Sequence, residues 1–189
     1  MRKLVVTISI IFLIFTICYA DDIPGFFWAA SRTGGGEALD GIDGQDLVDG
    51  YTAIVNHSSG TYFYVLDDDS GAVESDPTVI SPDTNAGDKR WLLTAYIGSN
   101  TVSTLANDAT PSISAGNKFV TGGTTTITDF DDGFTGKIIY ILSQHSITIT
   151  DGTNIFLNGS GSWNMQTQDT LTLIQKSDGT WHEIARSDN

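Results

Sequence analysis

The chain has 189 residues and a formal charge of −14, with 23 Asp and Glu against nine Lys and Arg. So acidic a surface excludes nucleic acid and anionic membrane as partners, because both are bound through cations that displace counterions. The single cysteine, Cys18, lies in an N-terminal leader, so the chain beyond it carries no disulfide, zinc–thiolate site or cysteine nucleophile.

Residues 1–20 read as a secretory signal peptide. Arg2 and Lys3 precede an apolar run from Leu4 to Ile17, and Cys18-Tyr19-Ala20 offers small residues for cleavage after Ala20. The run is shorter than the roughly 20 apolar residues of a membrane anchor. The expected location is therefore extracellular, at the cell surface or in a periplasm. Cleavage removes two cations, so seven basic residues then face all 23 acids.

Residues 21–50 are rich in Gly and Asp, as in Gly34-Gly35-Gly36 and Asp40-Gly41-Ile42-Asp43-Gly44. They predict a loop with short turns, since Gly41 and Gly44 weaken any helix between Glu37 and Leu47. A first β module is expected over 51–98. Its strands are Tyr51–Asn56, Thr61–Leu66, Thr78–Ser81 and Lys89–Ile97, with His57-Ser58-Ser59-Gly60 as a hairpin connection. Residues 99–110 are polar and aperiodic and read as a linker.

A second β module is expected over 111–189. Its predicted strands are Lys118–Thr121, Thr124–Asp129, Lys137–Leu142, Ser146–Thr150, Asn154–Asn158, Thr170–Lys176 and Thr180–Arg186. Asp151-Gly152, Asn158-Gly159 and Asp178-Gly179 separate several of them, and such dipeptides are strong turn signals. The expectation is an all-β fold of two small antiparallel modules, of sandwich, barrel or prism type. Asp49-Gly50-Tyr51-Thr52 and Asp132-Gly133-Phe134-Thr135 open the two runs, which close on Trp91 and Trp181. Shared turn chemistry is enough to explain that likeness.

Among residues able to carry chemistry, Asp67-Asp68-Asp69-Ser70-Gly71 and Asp129-Phe130-Asp131-Asp132-Gly133 both fit Asp-x-Asp-x-Gly. Alternating carboxylates before a bending glycine make Asp67, Asp69, Asp129 and Asp131 the candidate ligands for calcium, the one cofactor the sequence suggests. Calcium takes 6–8 oxygens, more than either turn supplies, so an acidic β-turn is the plainer reading. His57, His145 and His182 show no paired metal-ligand spacing. No Gly-x-Ser-x-Gly or His-Glu-x-x-His is present, and no enzyme activity is expected. Trp163 and Asn164 sit in the Gly- and Ser-rich stretch 158–164, where a core role for the ring is less automatic. They are the candidate ligand-binding or subunit-interface residues.

Three groups of residues carry a resemblance. They are Asp132-Gly133-Phe134-Thr135-Gly136-Lys137, then Ile147-Thr148-Ile149-Thr150-Asp151-Gly152-Thr153-Asn154-Ile155-Phe156-Leu157, then Asp169-Thr170-Leu171-Thr172-Leu173 with Gly179-Thr180-Trp181-His182-Glu183. Together they resemble the C-terminal modules of bacteriophage tail-fibre and tailspike-like proteins. Tyr62-Phe63-Tyr64-Val65-Leu66-Asp67 and Arg90-Trp91-Leu92-Leu93 resemble the small β modules upstream in such proteins. The likeness implies a β-rich, often trimeric appendage that binds surfaces or sugars. The secretory leader departs from it and points to a cell-encoded relative. The expected function is a secreted structural or adhesive surface component, self-associating as a trimer or filament, with surface polysaccharide as a further partner. A monomeric carbohydrate-binding module is the alternative, and a secreted polysaccharide hydrolase the third reading.

Overall fold

The computed structural model describes residues 25–189, so the expected leader lies outside the described residues. The strands are β1 (Phe26–Ala29), β2 (Thr52–His57), β3 (Gly60–Asp67), β4 (Val79–Ile80), β5 (Arg90–Gly98), β6 (Ser103–Thr104) and β7 (Lys118–Val120). They continue with β8 (Ile138–Leu142), β9 (Ile147–Ile149), β10 (Ile155–Phe156), β11 (Trp163–Met165), β12 (Thr170–Gln175) and β13 (Trp181–Ser187). Helix among the described residues amounts to one 3-10 turn, Gly44–Asp46, where the Asp43 side chain accepts from the Gln45 N–H. The fold is all-β.

Alternation along the strands explains the layers. In β3 Tyr62, Tyr64 and Leu66 are buried, while Thr61, Phe63 and Val65 turn to the other face. In β12 Leu171 and Leu173 are buried between Thr170, Thr172 and Ile174. β1 to β5 form one sheet in the order β1-β2-β3-β5-β4. A second sheet runs β10-β13-β12-β8-β7-β6, and β9 and β11 form a separate ribbon. Each large sheet covers its own core. Leu39, Val55, Tyr64, Leu66, Ile80 and Trp91 fill the first. Ile113, Ile127, Ile139, Ile149, Leu173 and Trp181 belong to the second. Each such side chain contributes about 1.5–3 kcal/mol by leaving water, which suits a fold with no disulfide.

Both sheets are mixed rather than purely antiparallel. β1 pairs parallel with β2, β7 with β8, β6 with β7 and β10 with β13. The two sheets share one scheme. β1-β2-β3-β5 and β7-β8-β12-β13 each pair parallel, then antiparallel, then antiparallel. Each has a bulge between its third and fourth strands, at Phe63/Tyr64 and at Thr172/Leu173. The fourth strand carries a fully buried tryptophan, Trp91 or Trp181, met edge-on by a phenylalanine at 5.6 or 5.7 Å. The likeness between the halves therefore extends beyond turn vocabulary to strand order, bulge position and core.

Four segments differ from expectation, the first being the expected linker 99–110, where Ser103–Thr104 forms β6 and joins the second sheet beside β7. β1 falls in the stretch read as loop. Thr124–Asp129 forms no strand: Ile127 makes one bridge to Ile149, while the Thr128 and Asp129 N–H groups donate to the Ala109 carbonyl in a neighbouring loop. Trp163–Met165 is a strand within a Gly- and Ser-rich stretch, paired antiparallel with Ile147–Ile149.

Candidate functional site

Trp163 is half-buried on the second core, and the Arg186 guanidinium lies 4.8 Å from its ring centroid. Arg186 is fixed there by Glu183 at 2.7 Å and by the Asn158 carbonyl at 2.7 Å. One face of the indole thus packs on the core and a cation caps the ring. Asn164 is exposed and stands opposite Thr148.

The two acidic turns lie in different halves. Asp67 ends β3 opposite Arg90, and its carboxylate accepts from the Asp69 N–H at 3.3 Å. The Asp69 carboxyl is pushed up from its ordinary range by a hydrogen bond to Asp67 and by the charges of Asp67 and Asp68. Asp129 accepts from the Phe130 N–H at 2.8 Å, and Asp131 accepts from the Thr110 hydroxyl at 3.1 Å. Local donors already hold these oxygens. Among the described residues no group of three or more His, Cys, Asp or Glu stands together to share an ion.

The histidines are also separate. His57 bonds the Ser59 hydroxyl at 2.8 Å, and that hydroxyl in turn meets Tyr62 at 2.8 Å. Ser59 is buried. Burial and the nearby Arg32 charge hold the His57 imidazole below its usual range. His145 bonds Thr121 at 3.1 Å, and His182 stacks on Phe156 with centroids 5.0 Å apart.

The feature that sequence reasoning missed is the outward face of each sheet. Register places Ile138, Ile174, His182 and Phe156 in one row across the second sheet. Lys118, Tyr140, Thr172 and Ala185 form the next. Neither row holds a carboxylate. In the first sheet Trp28, Ile54, Phe63 and Ala95 form a row, beside Phe26, Thr52, Val65, Leu92 and Val79. Asp67 is the one acid there, at the strand end against Arg90. Trp28 is 63% exposed and Tyr140 47%, with Ile97 and Ile184 also open. The two faces meet at a groove of about 370 Å³ lined by Ala95, Tyr96, Asn117, Phe134, Ile138 and Tyr140. Tyr96 packs edge-on to Phe134 there, at 5.3 Å. One signal in the sequence pointed to this surface: the second residue set of β3, β8 and β12 is mostly Thr, Ile, Phe, Tyr, Val or Leu, with Asp67 the one charged residue among them.

No family model matches the chain, and no curated protein does. A solved structure described as "Structure of a chaperone-substrate complex" is similar at 15% identity, with a TM-score of 0.37. The match covers 75% of this chain and 29% of that one. A likeness so slight carries no argument about function.

Proposed function

We propose that the protein is a secreted structural or adhesive surface component that self-associates through the outward faces of its sheets. The observation that supports this reading is the confinement of charge. Among the described residues the acids other than Glu183, which is buried against Arg186 in β13, sit in loops, turns and strand ends, while the central rows of both faces are aromatic, aliphatic or hydroxyl-bearing apart from Lys118 at one end. Contiguous exposed apolar surface of this kind marks an interface. The occupant is a second copy of the same chain. Secreted copies, with seven basic residues against 23 acids, repel one another wherever loops approach, and the faces whose central rows hold no acid are where that repulsion is least. A trimer is the first expectation, because three copies let each face find a partner in a closed ring.

Trp28→Glu and Tyr140→Glu place a carboxylate on each face without touching either core. Each variant is expected to keep its circular dichroism spectrum and to lower the mass measured by light scattering. Variants that retain the wild-type mass overturn the reading. The groove favours a second one, a monomeric carbohydrate-binding module: it joins the Tyr96, Phe134 and Tyr140 rings to Asn117, whose side-chain oxygen has no partner.

A further inference from the structure

A second recess lies where the two halves meet, on the loop side of the sheets. Arg32 from the β1–β2 crossover and Tyr62 from β3 line it, with Asp76 and Pro77 from the β3–β4 loop. Ser114, Asp132, Phe134 and Lys137 come from the second half. The cleft holds about 290 Å³, near the lower end of small-ligand cavities, which run from ~300 to 1,000 Å³.

Its two cations have unfilled donors. The Lys137 side chain is buried, at 3% exposure, and its ammonium donates to the Ile113 carbonyl at 2.6 Å. That is one partner for a group with three N–H bonds. The Arg32 guanidinium is paired to Asp76 through Nε and through Nη2 at 3.0 Å, and it lies 4.5 Å from the Tyr62 ring centroid. Its Nη1 is buried with no partner. Burying donors unsatisfied is costly, and a bound acceptor oxygen relieves the cost. Two of the seven basic residues beyond the leader stand in this one cleft, in a strongly acidic chain.

We infer that this cleft binds a small, singly charged carboxylate carried on a ring, the carboxylate taking the open Lys137 N–H donors and the ring resting against the half-buried Phe134. Lys137 lies 5.5 Å from the Phe134 centroid, so head and ring are served by adjacent groups. Asp76 and Asp132 face the same space and oppose a second negative charge, which selects a monocarboxylate over phosphate or sulfate. The exposed Ser114 hydroxyl supplies a further donor at the rim. Every group belongs to one chain, so the site stands whether or not copies associate.

The test titrates the full chain with glucuronate, benzoate, phosphate and sulfate at matched ionic strength. Thermal shift and NMR of the lysine ε-methylenes are the readouts. A saturable shift with glucuronate or benzoate is expected, with the Lys137 signal moving, and glucuronate against benzoate separates a sugar from an aromatic source. In Lys137→Met the apparent Kd is expected to weaken at least about tenfold, as loss of a charge-assisted bond requires. The wild-type NMR response stands by itself if that variant folds poorly. No saturable response, an unmoved Lys137 signal, equal binding to Lys137→Met, or tighter binding of phosphate or sulfate each overturns the inference.

Discussion

Lys137 is the residue under greatest electrostatic stress. Burial pushes its ammonium down from the ordinary 10.5 to about 8, against the opposing pull of Asp132. That gap corresponds to about 3 kcal/mol of penalty on the charged folded form. Between pH 8 and 10.5 the unfolded chain binds the proton more tightly than the folded chain, so stability rises with pH through this window. Tyr64 and Tyr96 act in the other direction. Burial raises both phenols well above the ordinary 10.0, so they hold their protons in the fold where the unfolded chain has lost them. Stability then falls as pH climbs past 10. Denaturant unfolding at pH 7, 9.5 and 11 is expected to show a maximum at the middle value. Lys137→Met is expected to raise stability at pH 7 by about 1–3 kcal/mol and to flatten the rise. A variant less stable than wild type at pH 7 contradicts the stress assigned to this ammonium.

At the scale of elements, the fourth strand of each sheet is the anchor. Trp91 and Trp181 are fully buried, and the indole N–H of each has no hydrogen-bond partner. Trp181→Ala is expected to cost about 3–5 kcal/mol in urea unfolding. Trp181→Phe is expected to cost no more than about 1 kcal/mol, because removing an orphan donor recovers its desolvation. Equal losses for the two variants show instead that the indole N–H is satisfied. The two Asp-Gly signals have different causes: at Gly133 a Cβ would stand 2.6 Å from the Trp181 ring and from the Gln175 amide, whereas Gly50 has open space around it and a φ of +79°. Elements with strict alternation and a turn dipeptide were legible in the sequence, as β3, β8, β12 and β13 show. β1 was not, because four residues beside a Gly-rich loop offer no period to read. The β1–β2 and β7–β8 parallel pairs were hidden for another reason. Local pattern records which side chains are buried, whereas the direction of pairing is decided by crossover loops such as 30–51 and 121–137.

For the whole molecule, charge is the organising quantity. Composition argues against nucleic acid and anionic membrane as partners, and it reports the excess of acid without its address. The structure shows the address among the described residues: apart from Glu183, paired with Arg186 in β13, loops and strand ends bear the carboxylates, and the central rows of the sheet faces hold none. The residues predicted for ligand and metal have local occupations. Trp163 is capped by Arg186, and Asp129 and Asp131 accept from Phe130 and Thr110. Arg32 and Lys137 escaped notice because nothing in a sequence marks a basic residue as buried, and the cleft that joins them is built from loops distant in the chain. The repeated strand scheme gives each chain two similarly built faces, and these are the surfaces through which the proposed self-association would run. The central claim is tested most directly by the native mass of residues 21–189, measured by light scattering across concentration, with calcium and with chelator. The account predicts a stable multiple of the chain mass, a trimer first, in both conditions. Assembly lost with chelator assigns calcium to the Asp67–Asp69 or Asp129–Asp131 turns, whereas a monomer at every concentration in both conditions contradicts the account.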